Sequence, residues 1–155
     1  MSHSWSIRIA QRRDVRELLV IEEAQFSEPW TKGMLLDEMA NAATRRYTVA
    51  IEERHVVGYL GVMFVTDELH VNTIGTAVGF EGRGVASSLL DEAWRDALAR
   101  GISRATLEVA VSNTRAQQLY YRYGFRPVGV RKNYYQRTRE DALVLWADVV
   151  APEPT

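Results

Sequence analysis

Gly79-Phe80-Glu81-Gly82-Arg83-Gly84-Val85-Ala86-Ser87-Ser88-Leu89-Leu90 is the stretch on which the reading of this chain turns. Two glycines in a short polar turn run into a segment with helical apolar spacing, which predicts a turn feeding a helix. Val85, Leu89, Leu90, Ala93, Trp94, Ala97 and Leu98 mark one face of that helix. Asp91 with Arg95 and Asp96 with Arg100 are i,i+4 pairs on the other face, and Gly101 supplies a stop.

Three uses of such a loop compete. The dinucleotide pattern G-x-G-x-x-G would fall on Gly82, Gly84 and position 87, but position 87 is Ser. Glu108 stands roughly where a ribose-binding acid would sit, yet that pattern opens a doubly wound parallel unit, and half of this chain precedes the loop as closely spaced strands. The loop G-x-x-x-x-G-K-[ST] is excluded because no Gly-Lys pair occurs. A second use is structural, with Gly82 and Gly84 letting the chain turn sharply and the helix pack close. The third is an anion site, in which main-chain amides opening the helix face a pyrophosphate and the helix dipole assists them. In that site the donors are backbone groups, so the carboxylate of Glu81 turns to solvent or to a nearby arginine.

Outward from the loop, Ser6 to Ala10 alternates as a strand, and Asp14 to Phe26 has helical spacing with Asp14 at the N-cap position. Pro29-Trp30 breaks that helix and Thr31 caps a second through Met34, Leu35 and Met39. Tyr47 to Ile51, Val56 to Val65 and Leu69 to Thr76 read as an antiparallel meander. After the loop helix, Ala105 to Val111 reads as a strand, and Ser112-Asn113-Thr114 caps a helix with Ala116, Leu119, Tyr120 and Tyr123 on one face. Phe125 to Val130 and Ala142 to Val149 read as two further strands. The expected fold is α/β (α+β): order βααβββαβαββ, a mixed, mostly antiparallel sheet with one parallel pairing from the central βαβ unit. Residues 1–150 are expected to form a single domain and 151–155 a frayed tail.

The chain has 155 residues, long enough to bury a core, and its formal net charge of −1 gives no basic field for nucleic acid. Lys32 and Lys132 are the only lysines. Acids cluster at Glu22-Glu23, Asp37-Glu38 and Asp67-Glu68, either as solvated faces or as an acidic rim for a cationic substrate. The absence of cysteine excludes disulfides and thiol catalysis, and no His/Asp/Glu cluster has metal-ligand spacing. The first twenty residues lack a signal-type apolar run, and Val56 to Val65 is too short to span a bilayer. The expectation is a cytoplasmic protein without metal, nucleic acid or membrane partner.

Together with the segments downstream of it, the loop resembles the acyl-CoA-binding motif of the GNAT superfamily of N-acetyltransferases. The pattern Gln/Arg-x-x-Gly-x-Gly/Ala falls on Glu81-Gly82-Arg83-Gly84-Val85-Ala86, with Glu81 departing at the first position. Leu107 to Thr114, Leu119-Tyr120 and Tyr123-Gly124-Phe125 resemble the branch that acetylates protein N-termini, the ribosomal-protein-alanine N-acetyltransferases. So do Phe26-Ser-Glu-Pro29-Trp30, Arg131-Lys-Asn133-Tyr134-Tyr135 and Arg139-Glu140-Asp141-Ala142. The resemblance runs from about Ile7 to Asp148 and implies a sheet splayed at its centre around acetyl-CoA.

Acetyl transfer to an amine needs a neutral amine, a held thioester, a stabilised oxyanion and a proton for the leaving thiolate. Without cysteine, direct attack in a ternary complex is the economical route. The resemblance implies Glu108 as general base and Tyr120 as general acid. An α-amine near pKa ~8 is far easier to deprotonate than a lysine near ~10.4. It further implies cofactor contacts at Ile74, Gly75, Thr76, Glu81, Gly82, Arg83, Gly84, Val85, Ala86, Asn113, Ala116 and Tyr120. The acceptor, a protein N-terminus, would lie among Phe26, Trp30, Glu68, Tyr134 and Tyr135, with Glu28 and Asp67 attracting its charge. His70 is an alternative base, and surface or packing roles remain open for each of these residues. Lysine side chains, small amines or a non-catalytic acyl-CoA-binding role are the alternatives to N-terminal acetylation.

Overall fold

The computed structural model describes residues 4–26 and 28–152. Its elements are β1 (Ser6–Ile9), a 3-10 turn (Arg12–Asp14), α1 (Val15–Gln25), α2 (Lys32–Ala40), β2 (Arg45–Glu52), β3 (His55–Val65), β4 (Glu68–Thr76), α3 (Val85–Ala99), β5 (Arg104–Ala110), α4 (Thr114–Tyr123), β6 (Arg126–Tyr135) and β7 (Glu140–Asp148). The expected 151–155 tail lies, beyond Pro152, outside the described residues. The sheet runs β1-β2-β3-β4-β5-β7-β6. Every neighbouring pair is antiparallel except β4 and β5, because α3 carries the chain across between them.

Alternation along the strands sends side chains to two separate cores. On one face Leu18, Ile21 and Leu35 of α1 and α2 pack on Tyr47, Val49 and Tyr59. On the other, Val85, Leu89, Leu90 and Trp94 of α3 pack with Leu60, Val62, Leu107 and Leu145, and Tyr120 and Phe125 close that layer. Full burial of one such Leu or Val contributes about 1.5–3 kcal/mol. Trp94 meets Tyr123 and Phe125 edge-on, fixing α4 beside α3. The start of α3 comes down onto Gly58, where a Cβ would collide with Val85.

The feature that positions the site is a short ladder. β4 and β5 pair only from Glu68–Arg104 to Val71–Leu107. Beyond it β5 continues with β7 through Glu108, Val109 and Ala110, while β4 stays with β3 to Thr76. The two strands part, and a gap opens at their C-terminal ends.

Several local expectations are corrected. Asp14 does not cap α1 through its side chain; the carboxylate accepts from the Gln11 amide and from both Arg8 terminal nitrogens at 2.7–2.9 Å. Arginine is the stronger competitor because its fork matches both carboxylate oxygens. Asp96 pairs with Arg100, but Asp91 accepts a hydrogen bond from the Tyr123 hydroxyl in place of pairing with Arg95. Leu98, expected on the buried face, is exposed near the end of α3. β6 extends to Tyr135, five residues past the expected end, because β7 begins two residues early and offers it a partner.

Candidate active site

The gap between β4 and β5 opens into a cleft of about 1100 Å³. Its walls are the C-terminal turn of α1 and the α1–α2 connection, the end of β4, the glycine loop with the start of α3, the end of β5, and α4. Ile74, Gly75, Thr76, Glu81, Gly82, Gly84, Val85, Ala86, Asn113, Ala116, Glu108, Tyr120, Phe26, Trp30, Tyr134 and Tyr135 all line it. Three expected residues, Asp67, Glu68 and Arg83, do not. Glu68 opens β4 at the far end of the strand, where the β4–β5 ladder is closed. Three residues at about 3.3 Å each separate it from Val71, at which the gap begins. Arg83 lays its guanidinium over the Phe80 ring, 4.8 Å from the centroid. His70 is also away from the cleft, 3.4 Å from Glu68.

At one end of the cleft the glycine loop presents backbone. Gly82 and Gly84 have φ of +79° and +91°, a region costly for a residue with a Cβ, and no atom lies within 4 Å of where either Cβ would stand. Gly84 is the N-cap of α3 and supplies no side-chain acceptor, so the opening amides of a fifteen-residue helix are left for a ligand. Glu81 folds back on its own turn and accepts from the Gly79 amide at 2.8 Å. Its own amide, the Gly79 amide and Arg115 hold the carboxyl below the usual range. Arg115 and Arg122 of α4 line the same cleft. Neither of them joins an ion pair among the described residues, so the cleft has two cations on α4 that can meet an anion. The two on α4 stand in no motif that would have marked them in the sequence.

Along the gap, β4 offers unpaired strand edge. The Ala77 amide donates to the Val57 carbonyl on the β3 side. Alternation therefore turns the N–H and C=O of Thr76 away from β3 and into the gap. The Gln25 side-chain amide meets both, donating to the Thr76 carbonyl at 2.5 Å and accepting from its amide at 3.3 Å. A primary amide here imitates a neighbouring strand, which is also what the amide-bearing arm of a coenzyme A thioester would do. A cleft with main-chain amides at one end, free strand edge along one side and room for a long arm fits that carrier.

The other side holds Glu108 and Tyr120. Glu108 of β5 accepts from Arg131 of β6 at 3.0 Å, and Arg131 lies over the Tyr134 ring. Tyr120 of α4 is buried, and its hydroxyl bonds to no other described residue. Burial, with Tyr135 nearby, raises the phenol, so it stays protonated through the neutral range as a proton donor must. Tyr135 is pushed up to about 12, first by burial and then by Tyr134 and Glu108. Asn113 caps α4 by accepting from the Ala116 amide, and Gln117 donates to the Ala110 and Val111 carbonyls, locking α4 to the end of β5. Glu28 accepts from the Arg137 amide, so the α1–α2 connection reaches the β6–β7 turn.

This arrangement defines an acyltransferase that draws its acyl group from a coenzyme A thioester. The chain belongs to the acetyltransferase (GNAT) family, whose model matches residues 15–125; acetyl-CoA is the donor. It is similar to the ribosomal protein bS18-alanine N-acetyltransferase of Haemophilus ducreyi, 34% identical over 137 residues, covering 86% of this chain and 92% of that one. In fold it matches the ribosomal-protein-alanine N-acetyltransferase of Escherichia coli, with TM-score 0.83 and 23% identity over 97% and 98% of the two chains. It also matches the PaiA N-acetyltransferase of Thermoplasma acidophilum, solved with coenzyme A, with TM-score 0.77 and 14% identity over 94% and 99% of the chains. Among the described residues no helix is long and apolar enough to cross a membrane, and no group of three or more His, Asp or Glu side chains is placed to hold a metal.

Proposed function

We propose that this chain transfers acetyl from acetyl-CoA to the N-terminal α-amine of a protein, and that the acceptor is a ribosomal protein beginning with alanine. The observation that carries the reading is the convergence of Glu108, Tyr120 and the free edge of β4 on one cleft whose far end is a main-chain anion cradle. The likeness to N-terminal alanine acetyltransferases supports the choice of acceptor.

Acetyl-CoA supplies the thioester carbonyl and the leaving sulfur. The amides opening α3, with Arg115 and Arg122, hold its phosphates. Ile74, Gly75 and Thr76 present the edge along which its arm lies, Gln25 giving way. Glu108 takes a proton from the attacking amine, directly or through one water. Tyr120 gives its hydroxyl proton to the leaving sulfur as the amine's new bond to the acetyl carbon forms and the carbon–sulfur bond breaks. Phe26, Trp30, Tyr134 and Tyr135 wall the acceptor side; Glu68 has no part in it. The reading needs no metal, nucleic acid or membrane, treats residues 1–150 as one catalytic unit, and places the protein in the cytoplasm, where ribosomal proteins are made.

The test is thiol release from acetyl-CoA in the presence of a peptide panel differing in the first residue and in a blocked or free α-amine. Transfer to free α-amines, fastest with alanine first, is the expected result. Equal or faster transfer to lysine side chains of blocked peptides would replace this acceptor with a lysine or small-amine one. Absence of turnover with tight acetyl-CoA binding would leave a binding module.

A further inference from the structure

The carboxyl of Glu22 is the most deeply buried acid in the described chain, with 0% exposure, in the C-terminal half of α1. No described cation pairs with it, and burial raises its pKa while Thr73 and Trp30 act against the rise. A carboxylate so placed survives only if its lone pairs are used. Its Oε1 accepts from the Trp30 amide at 2.7 Å, and its Oε2 accepts from the Thr73 hydroxyl at 2.6 Å. With the Thr73 proton given to Glu22, the Tyr59 hydroxyl 3.0 Å away donates to Thr73. Two donors, from the α1–α2 connection and from β4, thus converge on one side chain, and Tyr59 of β3 supports the second of them.

These partners belong to the cleft. Trp30 and Thr73 both line it, and Thr73 sits on the part of β4 that faces the gap. Pro29 has no amide, so Trp30 is the first residue after it that can be tied by its main chain. Thr31 next caps α2 through the Met34 amide. The connection is therefore pinned to β4 through Glu22 and to the β6–β7 turn through Glu28.

We propose that Glu22 is a positioning residue for the acceptor: by binding the Trp30 amide and the Thr73 hydroxyl together, it fixes Trp30, and with it the acceptor wall that Trp30 shares with Phe26, at a set distance from β4. It touches neither acceptor nor donor and acts through Trp30. The inference rests on the reading of that wall as the acceptor side.

The test compares Glu22→Leu and Glu22→Gln. Leu removes both acceptors at similar volume; Gln keeps an oxygen for the Trp30 amide and a polar group for Thr73, whose hydroxyl can turn to Tyr59. With Leu, the peptide KM is expected to rise about tenfold or more, while kcat and the acetyl-CoA Kd by calorimetry stay within about threefold; with Gln, all three stay within about threefold. An unchanged peptide KM in the Leu variant, or a Gln variant as impaired as Leu, overturns the proposal. Amide exchange in the wild-type chain decides it if the Leu variant does not fold. The Trp30 amide should exchange far more slowly than the Lys32 amide of the same region, and exchange as fast as an open loop overturns the proposal. That readout does not depend on turnover, so it separates failure of the clamp from failure of the acetyl-transfer reading.

Discussion

The Glu108 carboxylate and the Arg131 guanidinium stand 3.0 Å apart, bridging β5 and β6 across the intervening β7. Arg131 is more than half exposed and also covers the Tyr134 ring, so this pair is screened by solvent and is worth at most about 1 kcal/mol. In the proposed reaction the pair aims Glu108, and Arg131 gives way to the arriving ammonium.

Glu108→Gln keeps the shape and removes the base. The expected result is a fall in kcat of about 100-fold or more with acetyl-CoA affinity unchanged, because general-base contributions are of that order. Arg131→Ala should cost only a few-fold in kcat/KM, in line with its exposure. Single-turnover rates with saturating donor would check both; equal losses would show that the pair acts as one unit.

Tyr120→Phe fills the same buried volume and leaves no described partner unpaired. We expect Tm within about 2 °C of wild type and kcat lower by about 10–1000-fold. A variant with full turnover would transfer the donor role to another group.

Gly84→Ala places a Cβ at φ +91° in open space, so its effect is backbone strain. It should cost about 1–2 kcal/mol of stability and weaken acetyl-CoA binding by calorimetry as the α3 amides shift. Glu81→Gln should change acetyl-CoA Kd by less than about threefold, since the side chain turns to Gly79 and an amide oxygen can still accept there. Tightening beyond tenfold would mean that the carboxylate faces the phosphates.

Two buried acids predict pH effects of opposite sign. Burial works to raise Asp14, but the Arg8 fork and the Gln11 amide bring it below its ordinary value. Its contribution is therefore complete above the unfolded value near ~3.9 and is lost as pH falls through the folded one. Asp14→Asn should cost about 2 kcal/mol at pH 7, and the cost should vanish in acid. Glu22 is raised by burial, so its ionised form carries a penalty at neutral pH that fades as pH falls toward the ordinary carboxylate value. The stability of Glu22→Gln minus that of wild type should accordingly decrease from pH 7.5 to 4.5 in urea titrations.

Much of this protein was legible in one dimension. The glycine pair, the apolar face from Val85 to Ala97 and the Asn113 cap identified the loop, its helix and the following helix, because turn chemistry and helical period are local properties. Glu108 and Tyr120, which both line the cleft, were singled out through the family resemblance, carried by a strand and a helix that follow each other directly. The order of pairing through the meander and the βαβ unit was legible as well, but which side chains of distant segments meet was left open. Glu22 and Glu23 are adjacent acids with the same local appearance; only the packing of α1 on β3 and β4 buries the first against Thr73 and leaves the second in solvent. Glu68 and Glu108 both lie on strands beside the parallel seam, and the four-pair ladder alone puts one at its closed end and the other in the gap. Gln25 and Arg115 reach the cleft from α1 and α4, and Arg131 reaches Glu108 from β6, by the same three-dimensional accident of neighbourhood. Local pattern determined the elements and the cofactor; burial and strand separation, which depend on contacts far apart in sequence, decided which side chains stand beside it.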